Sequence, residues 1–138
     1  MLHPFHLAFF VKDLSSTRSF YGEILGCREG RSAATWVDFD FFGNQLSAHV
    51  AVEMTPTRDA GQVDGIAVPM PHFGAIIPWE SFDAIAARLR AAEVVFVIEP
   101  SVRYQGQPGE QGTMFFRDFS GNAIELKSFR HPEHVFTA

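Results

Sequence analysis

The order strand-helix-strand-strand-strand is written twice along this chain, and any fold has to accommodate both copies. In the first copy, Phe5 to Val11 (FHLAFFV) reads as a strand. Phe5, Leu7, Phe9 and Val11 share one face, and His6, Ala8 and Phe10 share the other. Asp13 predicts the N-cap of a helix with the apolar stripe Leu14, Phe20, Tyr21, Ile24 and Leu25, and Gly26 is its natural stop. Cys27 to Ala34 is polar and reads as a bend or a frayed strand. Thr35 to Phe42 (TWVDFDFF) alternates, with Trp36, Asp38 and Asp40 opposite Val37, Phe39 and Phe41. Gly43-Asn44 predicts a tight turn. Gln45 to Val52 is the next strand, with Gln45, Ser47 and His49 opposite Leu46, Ala48 and Val50.

Met54 to Met70 carries Pro56, Gly61, Gly65 and Pro69 without periodicity and reads as a linker that can carry a functional loop. The pattern then restarts. His72 to Ile77 is a strand with His72, Gly74 and Ile76 opposite Phe73, Ala75 and Ile77. Trp79, Phe82, Ile85, Ala86 and Leu89 predict a helix over about 80–92. Val94 to Ile98 is a strand, and Glu99 to Gln111 a long polar loop. The stretch GTMFFRDFSGNAIELKSF, Gly112 to Phe129, closes the copy as a β-hairpin whose connection is the turn-forming run Asp118 to Asn122. Glu125 sits inside its second strand, facing away from Ile124 and Leu126. A carboxylate there needs a partner: a Lys or Arg, water, or a metal ion.

His6 and His72 are 66 positions apart, and the helix starts near Asp13 and Glu80 are 67 apart. Each copy opens with a histidine on the face away from its apolar stripe. Both coincidences point to a duplicated unit. One copy has too few strands to bury both faces of its sheet, so the two are expected to pair into a single curved sheet with helices outside. The expected layout is one domain over residues 1–138: module one about 1–54, linker about 55–70, module two about 71–130 and tail 131–138.

Several function classes drop out. A net charge of −5 argues against nucleic acid, which favours a basic face. No apolar run approaches the roughly 18 residues of a membrane span. MLHPFHLAFF has no basic leader before an apolar core, so no secretion signal is expected. The single Cys27 forbids an internal disulfide and suits a reducing, cytoplasmic setting; it reads as a small buried residue. The phosphate-binding patterns G-x-G-x-x-G and G-x-x-x-x-G-K are absent.

The doubled order, with HLAFFVKDLSSTRSFYGEILG at the front and MFFRDFSGNAIELKSF at the back, resembles the vicinal oxygen chelate superfamily over nearly the whole chain. That superfamily includes glyoxalase I, extradiol ring-cleaving dioxygenases, methylmalonyl-CoA epimerase, fosfomycin-resistance transferases and bleomycin-resistance proteins. Where the family usually has proline after the turn aspartate, this chain has Phe119. The resemblance implies an α+β fold of two βαβββ modules forming a cupped mixed sheet with helices on the outer face. It also implies a divalent metal (Fe, Mn, Ni or Zn) held by His6, His72 and Glu125, with His49 as the one strong donor on the strand from Gln45 to Val52. A lone strand histidine is more often a hydrogen-bonded core residue; it is the set of two histidines and one carboxylate that suits open coordination of a metal. The implied activity is that of a dioxygenase-like or glyoxalase-like enzyme on a small substrate with adjacent oxygens, with Glu125 also catalytic. The alternative is a metal-free small-molecule binding protein of the bleomycin-resistance kind. A homodimer is expected, since small members of the family commonly dimerise. Arg103 and Tyr104, on the loop before the closing hairpin, are candidate substrate contacts. His3, His131 and His134 read as surface residues.

Overall fold

The two alternating patterns become two four-stranded sheets in the computed structural model, which describes residues 3–51, 53, 58–63 and 65–137. The chain divides into two units, residues 1–56 with 118–122, and residues 57–117 with 123–138.

The first unit contains β1 (His6–Val11), β2 (Arg28–Ala33), β3 (Trp36–Phe41) and β4 (Asn44–Val50), in the order β1-β4-β3-β2. β1 runs parallel to β4 and the other pairs are antiparallel. Between β1 and β2 lies α1 (Leu14–Thr17), which continues as a wider π-helical stretch over Arg18–Ile24. The Asp13 carboxylate accepts the Ser16 N–H at 2.7 Å and caps the helix as its sequence predicts. That backbone hydrogen bond holds the Asp13 carboxyl below its ordinary pKa. At the other end Gly26 has φ of +76°, and the Cys27 N–H reaches back to the Tyr21 carbonyl at 2.8 Å; this is the glycine-terminated closure a helix C-terminus favours. Tyr21, Phe20, Leu25, Val37, Phe39 and Leu46 form the core.

Of the two alternatives for the polar run after the helix, bend or frayed strand, residues 28–33 form a strand with every residue exposed. One local expectation changes. The turn between β3 and β4 is Phe42-Gly43, one residue earlier than expected. Both have positive φ (51° and 87°), as a type I′ two-residue hairpin loop requires, and Asn44 starts the next strand instead. Its Oδ1 accepts the Phe5 N–H at 2.9 Å. Val52, the expected end of that strand, lies outside the described residues.

Residues 118–122 belong to this unit, and Asp118 organises them. Its Oδ1 accepts the N–H groups of Ser120 and Asn122, both at 2.8 Å. Its Oδ2 accepts the Tyr21 hydroxyl at 2.8 Å and the Asn122 side-chain amide at 2.9 Å. Phe119, in the place of the family's proline, lays its ring edge-on against Phe20 at 5.1 Å.

The second unit contains β5 (Arg58–Val63), β6 (Ile66–Met70), β7 (Phe73–Ile76), α2 (Phe82–Ala91), β8 (Phe96–Arg103), β9 (Gln111–Arg117) and β10 (Ala123–Phe129). Its large sheet has the order β7-β10-β9-β8, with β7 parallel to β10, repeating the first sheet's parallel edge pair. α2 buries Phe82, Ile85, Ala86 and Leu89. The expected linker at 55–70 is in part a hairpin, β5 with β6. Alternation does not announce it because burial holds it: Val68 is fully buried in a cluster with Phe115 and Ala123. Residues 54–57 and 64 of that linker lie outside the described residues. β8 starts later than expected and runs on to Arg103, so the polar loop shrinks to 104–110. β8 is at the sheet edge and its ladder is irregular between Phe96 and Ser101, which lets it tolerate Pro100. Among the described residues no helix is long and apolar enough to cross a membrane.

Two outcomes are expected. Asp118→Asn turns one acceptor oxygen into a donor facing the Tyr21 hydroxyl and the Asn122 amide, and should cost about 2 kcal/mol in denaturant unfolding; a loss below ~0.5 kcal/mol would refute the role given to the carboxylate. Burial pushes the Tyr21 phenol well above its ordinary pKa, with the Asp118 charge adding to it. A raised folded-state pKa means that the contribution is complete below the unfolded value of about 10 and is lost as pH climbs beyond it. Stability should therefore fall above that pH, and Tyr21→Phe should flatten the fall.

Candidate metal centre

In the second unit the parallel pairing of β7 with β10 sets Gly74 opposite Glu125. A Cβ on Gly74 would collide with the Glu125 backbone carbonyl, so only glycine lets the strands approach this closely. His72 stands just before β7. Its Nδ1 lies 2.9 Å from the Pro69 carbonyl oxygen, which only accepts, so Nδ1 carries the hydrogen. The other nitrogen, Nε2, lies 3.2 Å from Glu125 Oε2. Unless Nε2 is itself protonated, a lone pair and a carboxylate oxygen face each other there. Glu125 is 7 % exposed. Its Oε1 accepts the Thr113 hydroxyl at 2.9 Å, and Lys127 Nζ is 3.9 Å away. Phe115, fully buried, packs edge-on against the imidazole at 4.7 Å.

The first unit orients a histidine in the same sense. His6 pairs with Gln45 across β1 and β4, and its Nδ1 is 2.8 Å from Gln45 Oε1. Gln45 donates its amide to Asp38 Oδ2 at 3.4 Å, which turns the amide oxygen toward His6. Ser47 donates to Asp38 Oδ1 at 2.6 Å. The order Asp38, Gln45, His6 therefore places the hydrogen on His6 Nδ1 and leaves Nε2 as the basic atom. Asp38 and Ser47 are buried, whereas His6 is exposed.

His49 is not brought to His6. It pairs with Phe10, four rows further along the ladder, or about 13 Å at 3.3 Å per residue. There it stacks on Trp36 with ring centroids 6.4 Å apart. It shares a sheet face with Gln45, but the register separates them. In the second sheet Glu125 lies opposite Gly74; the matching residue of the first sheet, opposite Ala8, is Ser47. The carboxylate at that depth comes from the neighbouring strand, as Asp38. Its signal was present in TWVDFDFF: an acid among alternating apolar residues on the face that also carries Gln45 and Ser47.

Arg103 ends β8 and Tyr104 follows with φ of +55°, an uncommon conformation for a residue other than glycine. The guanidinium lies 5.1 Å from the tyrosine ring and donates to its hydroxyl at 3.2 Å. His3 and His131 are exposed, and His134 is half-buried in the turn Pro132–His134. Cys27 is buried and forms no disulfide. Among the described residues no three His, Cys, Asp or Glu side chains gather closely enough to hold a metal; His72 and Glu125 are two such donors 3.2 Å apart. These donors fit a divalent ion. One imidazole is fixed through its far nitrogen by a backbone carbonyl, and one carboxylate is fixed by a hydroxyl, the supports that metal ligands ordinarily have.

The description of the glyoxalase/bleomycin resistance protein/dioxygenase superfamily matches residues 3–126. No curated protein sequence matches significantly. Among solved structures, a glyoxalase/bleomycin resistance protein/dioxygenase from Alicyclobacillus acidocaldarius is 27% identical with a TM-score of 0.76, covering 97% of this chain and 96% of its own. A glyoxalase/dioxygenase from Nostoc punctiforme is 20% identical (TM-score 0.71, 94% and 92% covered). The fosfomycin resistance protein FosX from Listeria monocytogenes is 21% identical (TM-score 0.66, 93% of both chains covered). The two βαβββ modules, their repeated parallel edge pairs and the match over nearly the whole chain agree, and the chain belongs to the glyoxalase/bleomycin resistance protein/dioxygenase superfamily.

Proposed function

We propose that this chain is a metal-dependent enzyme of the vicinal oxygen chelate type, acting on a small substrate with two adjacent oxygens. In this reading His72 and Glu125 of one copy and His6 of a second copy hold one divalent ion in a homodimer. The observation that carries it is the His72–Glu125 contact. Nδ1 donates its hydrogen bond to the Pro69 carbonyl, so a neutral His72 turns the Nε2 lone pair toward Glu125 Oε2, 3.2 Å away, and two such donors would share a cation. His6, whose Nδ1 is held by Gln45 with Nε2 outward, is offered as the third ligand, from a second copy.

A divalent ion in such a set supplies Lewis acidity to a substrate that chelates through adjacent oxygens, and imidazole with carboxylate suits iron, manganese, nickel or zinc. The chain's own residues do the rest. Thr113 holds Glu125 by its other oxygen, leaving Oε2 to ligate or to take a proton. Gln45, itself oriented by Asp38, holds His6 with Nε2 outward. Arg103 and Tyr104, stacked and hydrogen-bonded to each other, are assigned as substrate contacts. A cytoplasmic setting accords with the single buried Cys27, which forms no disulfide. Whether the reaction is of the dioxygenase, glyoxalase or fosfomycin-modifying kind turns on the substrate.

The second reading is a metal-free small-molecule binding protein. It is favoured by the same His72–Glu125 contact taken as an imidazolium–carboxylate pair, closed by Thr113. Titration with ferrous, manganous, nickel and zinc ions separates the two. Glu125→Gln should abolish tight binding while the fold survives, because Ile124 and Leu126 remain buried on the opposite face. Thr113→Val should weaken binding about 10- to 100-fold. Binding should also weaken as pH falls, since protons compete for the imidazole nitrogens. Equal, weak affinity in the native and Glu125→Gln proteins for every ion would establish the metal-free reading instead. Mixing His6→Ala with His72→Ala chains should restore one metal site per mixed dimer; no restoration would place the third ligand elsewhere.

A further inference from the structure

We infer that the first unit carries an anion-binding groove at the bulge of β2, where Arg31, assisted by Arg28, grips a carboxylate, phosphate or phosphonate group. β2 and β3 pair regularly at Arg28 with Asp40 and Glu29 with Phe39, and again at Ser32 with Val37. Between these rows Asp38 is opposed by two residues, Gly30 and Arg31, where a regular ladder has room for one. In an unbroken strand Arg31 would stand three places from Arg28 and face the other side of the sheet. With the extra residue both arginines line one open groove of about 380 Å³, lined also by Gly30, Asp38, Asp40 and Gln45.

The charges in that groove are unequally engaged. Asp38 uses one oxygen on Ser47 and the other on Gln45. Asp40 uses one on the Gly43 N–H at 2.9 Å and the other on Arg28 at 3.5 Å. Arg31 has no ion-pair partner among the described residues. An exposed arginine alone would mean little. Here the bulge sets it on the lining of a concavity that Arg28 also lines, where Asp40 is paired with Arg28 and Asp38 is hydrogen-bonded to Ser47 and Gln45. A planar fork of N–H donors in that position matches the paired oxygens of a carboxylate or a phosphoryl group. Gln45 is shared between the groove and the His6 support, so an anionic substituent held by Arg31 would lie against the amide that orients His6. This inference does not depend on a metal at His72 and Glu125.

Its test is a titration of the metal-free native protein with acetate, methylphosphonate and inorganic phosphate at low salt, followed by amide chemical shifts. Saturable shifts are expected at Gly30, Arg31, Asp38 and Gln45 for at least one of the three. Arg31→Gln should raise the dissociation constant about tenfold. Arg28→Gln should raise it less, because Arg28 is already shared with Asp40. Tighter binding of methylphosphonate and phosphate assigns the groove to phosphoryl groups; equal or tighter binding of acetate assigns it to carboxylates. Shifts scattered over the surface, or one affinity in native and Arg31→Gln proteins for all three anions, would overturn the proposal. Arg31→Gln should keep native metal affinity, so a failure here is distinguishable from a failure of the metal reading.

Discussion

The carboxylate of Asp118 is the interaction on which most of the rest depends. It is buried, and it accepts four hydrogen bonds: two from the backbone of its own turn, one from Asn122 and one from the phenol of Tyr21. A buried carboxylate is tolerable only when so satisfied. The turn it closes joins β9 to β10 in a register that pairs Ala123 with Arg117 and Glu125 with Phe115. A slip of one residue would carry Glu125 to the opposite face and put Ile124 or Leu126 in its place. Tyr21 sits at the centre of the first unit's aromatic core, 5.5 Å from Phe39 and 5.8 Å from Phe9. One side chain therefore fixes both a core anchor and the position of the acid most relevant to function.

Glu125 in turn depends on what is missing opposite it. Gly74 has no Cβ, so β7 can lie against β10 closely enough for His72 to reach the carboxylate. The β5–β6 hairpin contributes the Pro69 carbonyl that selects the tautomer of His72. The first sheet reaches a related result with different residues. A glutamine replaces the backbone carbonyl as the Nδ1 partner, and the acid has moved one strand over to Asp38. The likeness of the two copies lies in strand order and in the orientation of a histidine, while the supporting residues have diverged.

Much of this was legible in the chain itself. The order of elements, the Asp13 cap, the Gly26 stop, the closing hairpin and the histidine and glutamate faces all follow from local chemistry: alternation, capping and backbone freedom act within a few residues. The β5–β6 hairpin was not legible, because it is held by Val68 packing on Phe115 and Ala123 rather than by its own pattern. The extension of β8 was hidden by Pro100, a residue that an irregular edge strand tolerates and a central one does not.

Which residues share a face is set by sequence, since side chains alternate whatever the neighbours are. Which residues share a row is set by register, and register is a tertiary quantity. The sequence by itself therefore determined that His6, Gln45, Ser47, His49 and Asp38 lie on the faces where they are found. Only the tertiary structure decided that Gln45 meets His6 and that His49 lies four rows away, that Asp38 takes the place of a carboxylate on the strand beside it, and that a bulge sets Arg31 on the lining of the same groove. The physical reason is the same each time: a single-residue change in strand pairing moves a side chain by a full row or to the other face, and no local propensity records it.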